Sequence, residues 1–327
     1  MQEKDIILKE YQEDSRHFCD FVNGVLAQGK PLMQCGQIVP VPTELVSIEE
    51  IPQKGKENRK IVRGVQRFRD LTRKIVAPDG EVIVALQNQT TVDFGMPLRV
   101  MTEDALEYDV QRRMRKDEKL HKGEKLAPVI TIVFYYGAQI WSGPTDLADM
   151  VKIPEEFKWL KKYIRPYAML LVTPENVDAA WFSGGWREVF EILQRRNDEK
   201  EMQCYLQEKR DIYEALPEDT NRLIFALTGH LDYYNDLKRK GERAIMCKAF
   251  EDHYKSGVEE GKIIGISQGI SQGISQGISQ GLSRGIGAMI RENQEEGKTT
   301  ESIADKLQKY FSLSREEALG YIRCNQK

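Results

Sequence analysis

The sequence predicts an α/β fold in which a mixed sheet is flanked by helices, and three stretches carry that prediction. In FRDLTRKIV (68–76) and EVIVALQ (81–87), two β-branched runs are separated by Pro78-Asp79-Gly80, which supplies turn chemistry and makes them a hairpin. PVITIVFYYG (128–137) is apolar on both sides of a period of two, as expected of a central strand covered on both faces. Apolar residues at helical spacing appear before and between these strands.

In chain order, Asp5 to Leu26 places Phe18, Phe21, Val22 and Val25 at helical spacing, which predicts an amphipathic helix at the start. A loop containing Pro and Gly follows, then the hairpin, with Asp70 on its first arm. Asp93 predicts an N-cap and Pro97 suits the first turn of a helix carrying Leu98, Met101, Ala105, Leu106 and Val110. YAMLLVTPEN (167–176) gives a further strand, and the region from about Asp178 to His253 reads as mainly helical. The segments expected are 1–175, a helical extension 176–256, a repeat tract 257–297 and a two-helix tail 298–327.

Composition bounds the function. With 327 residues, 40% of them hydrophobic and 30% charged, the chain can bury a sizeable core and carry appendages. No run approaches the roughly 18 apolar residues of a membrane span, so no membrane partner is expected. The start MQEKDIILKEYQEDSRHF lacks the basic-then-apolar layout of a secretory signal, which predicts a cytoplasmic location. Five scattered cysteines without a C-x-x-C pair argue against a zinc knuckle or a disulfide framework.

The net charge of -3 hides a local imbalance. Between Lys54 and Lys74 nine basic residues, among them Arg59, Lys60, Arg63, Arg67, Arg69 and Arg73, face only Glu57 and Asp70. A second basic run holds Arg112, Arg113, Arg115, Lys116, Lys119, Lys122 and Lys125. Such runs read either as a solvated surface or as a footprint for the DNA backbone, where Lys and Arg gain affinity by releasing counterions.

At the end of the second hairpin arm stands Gln87-Asn88-Gln89. Gln87 and Gln89 share one face of the strand, and with Asp70 on the neighbouring arm they have the layout of a two-strand metal site. The helix that follows then presents basic residues, Arg99 among them, to a phosphate.

Through KDIILKEY (4–11), ALQNQTTVDFGMPLRVM (85–101), LAPVITIVFYYG (126–137) and WSGPTDLADM (141–150), the chain resembles the recombination-promoting nuclease and putative transposase family, a branch of the PD-(D/E)XK nuclease superfamily. The resemblance implies a restriction-endonuclease-like fold, DNA as substrate, and Mg2+, replaceable by Mn2+, at the strand fork. It implies that Asp70 is the metal-binding acid, that Asp5 is the acid frequent at the start of the first helix, and that Gln89 stands where the superfamily motif has Lys and orients water or phosphate. Gln87 departs from the pattern, because that position is usually Glu. Magnesium is typically held by carboxylates plus water and phosphate, so a neutral amide weakens the site. Asp70 and the amide or backbone oxygens near Gln87 and Asn88 are the metal ligands expected. Glu103 reads either as a second acid relocated to the helix or as an exposed helix residue. The activity expected is magnesium-dependent cleavage of DNA, with a DNA-binding relative of weakened catalysis, or an oligomerising interaction protein, as the alternative.

In the tail, GISQ occurs four times in succession from Gly265 to Gln280, and glycine recurs every fourth position from Gly257 to Gly285. The isoleucines stack along one side of a helix and drift, because four residues exceed the 3.6 of a turn. The tract reads either as a homo-oligomer contact or as a Gly/Ser-rich spacer. TTESIADKLQKYFSLSREEALGYIR (299–323) reads as two short helices, a small helix-turn-helix or a docking unit.

Overall fold

The computed structural model describes residues 3–52 and 60–325. The opening amphipathic segment is two helices, α1 (Glu3–Glu13) and α2 (Ser15–Ala27), where the periodicity predicts one. The break is local: the Asp14 side chain caps α2 by accepting from the Arg16 N–H at 2.8 Å, so the chain restarts its helix there.

The strands follow as β1 (Ile38–Pro40), β2 (Glu44–Pro52), β3 (Lys60–Phe68), β4 (Leu71–Ala77) and β5 (Gly80–Gln89). After β5 come α3 (Met96–Arg113), β6 (Val129–Tyr135) and β7 (Leu170–Val172). The five-stranded sheet has the order β1-β4-β5-β6-β7. Its β1–β4 and β4–β5 pairs are antiparallel, and its β5–β6 and β6–β7 pairs are parallel. The predicted hairpin is β4–β5, closed at Ala77↔Gly80 and still in register at Leu71↔Leu86. Strand β5, helix α3 and strand β6 form a parallel crossover, which brings α3 back across the sheet. Strands β2 and β3 form a separate antiparallel ribbon that packs by α3.

Both sheet faces are covered, as the two-sided apolar pattern of β6 predicts. Val133 packs with Met96 and Val100 of α3 on one face. On the other, Phe134 meets Phe21 of α2 at 5.4 Å between ring centroids, and Trp186 and Phe190 at 5.7 Å each. Trp186 and Phe190 belong to α4 (Gly184–Arg195), the first of the helices α4, α5 (Glu199–Glu208), α6 (Arg210–Ala215), α7 (Glu218–Leu227) and α8 (Leu231–Arg239). The expected boundary at 175/176 therefore does not separate two cores: the helical extension completes the core of the sheet.

The chain divides into two units, Met1–Glu251 and Asp252–Lys327. Helix α9 (Met246–Glu295) carries the GISQ tract, and α10 (Thr300–Phe311) and α11 (Arg315–Cys324) are the two predicted tail helices. Their small core joins Ile286 and Ile290 to Ile303, Leu307 and Ile322. Among the described residues no helix is long and apolar enough to cross a membrane.

Candidate functional site at the end of the central hairpin

Asp70 is the residue before β4 and faces the end of β5, one step beyond the Leu71↔Leu86 pair. The Asn88 N–H donates to its Oδ2 at 2.7 Å. Burial pushes the Asp70 carboxyl above the usual carboxylate range, and that hydrogen bond and the charges of Arg99 and Lys9 pull it back.

Successive β5 side chains alternate between the two faces, so the polar triplet splits. Asn88 turns to α1 and exchanges amides with Gln12: Gln12 Nε2 donates to Asn88 Oδ1 at 3.0 Å, and Asn88 Nδ2 donates to Gln12 Oε1 at 2.7 Å. Asp5 lies two turns earlier on the same helix and accepts from the Tyr136 hydroxyl at 2.5 Å. Asp5, Lys9 and Gln12 stand at i, i+4 and i+7, one face of α1. Lys9 and Gln12 have no signal in the sequence beyond that spacing, and Tyr136, which follows β6, has none.

Gln87 turns to α3 and is fully buried. Its Nε2 donates to Glu103 Oε2 at 2.6 Å, and its Oε1 accepts from Arg99 Nη2 at 3.0 Å. Arg99 Nε closes the ring on Glu103 Oε1 at 3.0 Å. Glu103 is thus neither a solvated helix residue nor a free ligand, since each of its oxygens has a partner. Deeper in the same layer, Arg69 reaches Asp104 at 2.6 Å, Glu107 at 3.4 Å and Glu103 at 3.8 Å with a side chain 0% exposed. Asp104 also accepts from Thr131 at 2.6 Å and Tyr167 at 2.7 Å. Burial raises the pKa of Glu103, Asp104 and Glu107, and the arginines oppose the shift.

These contacts test whether the fork fits magnesium. A hard divalent cation needs carboxylate or free carbonyl oxygens converging on one point. Gln87 Oε1 already faces a guanidinium, both Glu103 oxygens are held, and Asp5 is tied to Tyr136. Gln89 adds another neutral amide on the Gln87 face, and the side chain of Asn88 is held by Gln12. Among the described residues no group of three or more His, Cys, Asp or Glu could hold a metal ion. The donor set does not fit the metal that the resemblance implies, and the cation resident at Gln87 is Arg99.

The structure separates the basic residues by position. Arg69 and Arg73, counted above as candidates for DNA, are both buried. Arg69 is the internal counter-ion just described, and Arg73 donates to the carbonyls of Thr72 at 3.1 Å and Glu13 at 3.3 Å. Arg112 and Arg113 each bind Asp109 at 2.7 Å near the end of α3, about 20 Å along the helix axis from Arg99. That end lies beside the start of β6, where Tyr108 accepts from the Val129 N–H at 3.1 Å, so the two arginines are at the opposite end of the central strands from the fork. Lys60 and Arg63 are placed by their backbone on β3, and Arg59 lies outside the described residues. Arg67 and Arg99 do come together: with Phe68, Gly95, Leu98, Thr102 and Glu103 they line a cleft of about 570 Å³ beside the fork. The α3 cap at that cleft is Gly95, with Pro97 in the first turn; the predicted cap, Asp93, lies two residues earlier and instead accepts from the Gly95 N–H at 2.8 Å.

No protein-family model, no curated protein and no solved structure matches this chain.

Proposed function

We propose that this chain binds the phosphodiester backbone of DNA at the β4/β5 fork, as a relative of the PD-(D/E)XK nucleases whose cleavage centre is weakened or lost. The order helix, hairpin, helix, parallel strand, with Asp70 at the fork, supports the restriction-endonuclease-like class. The observation that carries the binding reading is Arg99 on Gln87 Oε1 at 3.0 Å, a fixed positive charge where that class holds a metal between carboxylates. A guanidinium binds phosphate but cannot supply the bound hydroxide that a metal generates.

A plasmid assay with magnesium, manganese or EDTA, read for both nicking and retention, tests this. The expected result is retention in all three, with nicking no greater than that of the Asp70→Asn variant. Divalent-dependent nicking that Asp70→Asn abolishes would establish the second reading, a working nuclease. The Asp70 carboxylate, held against Asn88 N–H at 2.7 Å, favours that second reading. The Gln87→Glu variant divides the two further. It sets a second carboxylate against Glu103, so it lowers the melting temperature without metal. Recovery of that temperature on adding magnesium would mark a latent metal site, and its absence supports the binding-only protein.

A further inference from the structure

We infer that the cleft between the end of β3 and the start of α3 is a metal-independent site for one nucleotide unit of an unpaired DNA strand, with the phosphate on Arg99 and Arg67 and the base against Phe68. This rests on the DNA reading above and names its substrate class.

Arg99 is pre-positioned for the phosphate. Its Nε is held by Glu103 Oε1 and one Nη2 hydrogen by Gln87 Oε1, both at 3.0 Å. A guanidinium has five N–H donors, so the Nη1 pair and the second Nη2 hydrogen stay available, and the side chain is 36% exposed at the cleft. Two fixed contacts hold the rotamer, so little side-chain entropy is lost on binding. Arg67, exposed on the opposite wall, adds a second cation. Among the described residues the acid in the wall is Glu103, and its charge is matched by Arg99 at 3.0 Å and Arg69 at 3.8 Å, so it does not repel an anion.

The apolar part of the cleft points to an unpaired strand. Phe68 is 58% exposed and Leu98 is 47% exposed, and in the lining of the cleft Phe68 follows Arg67 at the end of β3 while Leu98 precedes Arg99 on α3. In a duplex the base faces are stacked on one another and cannot meet such a ring. In a single strand they can, and ring-on-base stacking beside a cationic groove is the usual design for such strands. The volume, about 570 Å³, lies within the roughly 300–1,000 Å³ of small-ligand sites and so suits one nucleotide, not a helix.

Fluorescence anisotropy with a short labelled oligothymidylate, and with a duplex of the same length, tests the inference in EDTA and in magnesium on the full chain. The expected result is tighter binding of the single strand, unchanged by EDTA. Phe68→Ala should weaken it about tenfold, which is about 1.4 kcal/mol, and Arg67→Gln should lower the slope of log affinity against log salt by about one. Both substitutions are at exposed positions, so loss of folding does not confound them. Tighter binding of the duplex, no effect of Phe68→Ala, or a need for magnesium would each overturn this inference while leaving the DNA reading in place. Failure to bind either oligonucleotide would overturn both.

Discussion

In the first unit, Arg69, Glu103, Asp104 and Glu107 are charged and buried, and each has its partners within the chain. In the second, Ile266, Ile270, Ile274 and Ile278 are apolar and stand between 57% and 66% exposed. Both invert the usual rule of apolar inside and charged outside. The first inversion closes on itself, because the Arg69 guanidinium faces all three carboxylates and Arg99 also pairs with Glu103. The second stays open: the four isoleucines are left to solvent, so the fold of the first unit is explained by its own contacts, whereas the stripe adds no packing to the second.

The most severe way to break the comparison is to unbalance the closed cluster. Arg69→Met keeps roughly the volume and leaves three buried acids without their shared cation, and should cost about 3–5 kcal/mol at neutral pH. The pH dependence has a defined sign. Glu103, Asp104 and Glu107 already have raised folded-state pKa values, so their contribution is full below the unfolded carboxylate range near about 4 and is lost as pH rises through the folded values. Without Arg69 those values rise further. Urea denaturation should therefore show a larger deficit at pH 7.5 than at pH 5.5, and an equal deficit at both would mean that the arginine acts through packing alone.

This cluster also marks where the sequence stops being legible. The hairpin, strand β6 and the tail helices follow from local pattern and turn chemistry, and they form where expected. Helix α3 forms too, but with its face reversed. The periodicity of Leu98, Met101, Ala105, Leu106 and Val110 suggests an apolar stripe, whereas the buried residues include Val100, Glu103, Asp104, Glu107 and Gln111. An apolar-inside reading cannot find a charged inner face, because that face depends on Arg69, a residue distant in sequence that itself reads as a surface cation. The candidate site divides in the same way. Asp70 and the polar triplet are visible in the pattern, but the Gln12–Asn88 amide pair spans 76 positions and the Arg99–Gln87 contact spans two elements, so neither leaves a local trace.

Glycines sharpen the comparison at intermediate cost. In the first unit a Cβ on Gly24 would lie 2.3 Å from the Phe182 ring, which is itself buried among aromatic neighbours. The ring has nowhere to move, so Gly24→Ala should destabilise by about 1–3 kcal/mol, measurable as a lower urea midpoint with an unchanged slope. A neutral result would show that α2 can shift against the core.

The smallest expected effect belongs to the glycines of the second unit, and its sign carries the information. Around Gly265, Gly269, Gly273, Gly277 and Gly281 a Cβ would meet nothing within 4 Å. In a helix that stays solvated, Gly273→Ala should add helix stability of roughly 0.5–1 kcal/mol and raise the circular dichroism signal slightly. The stretch from Ile263 to Ser283 carries no charged residue, so a second copy of the tract meets no like-charge repulsion, and glycine next to isoleucine at each repeat allows close backbone approach. If copies pack through that stripe, the alanine methyl intrudes on the contact. Gly273→Ala should then lower the mass seen by light scattering, as should deletion of 265–280, even as helicity rises. A mass that stays monomeric in the native chain and in both variants would identify the tract as a spacer and would leave the exposed isoleucines without a role in self-association.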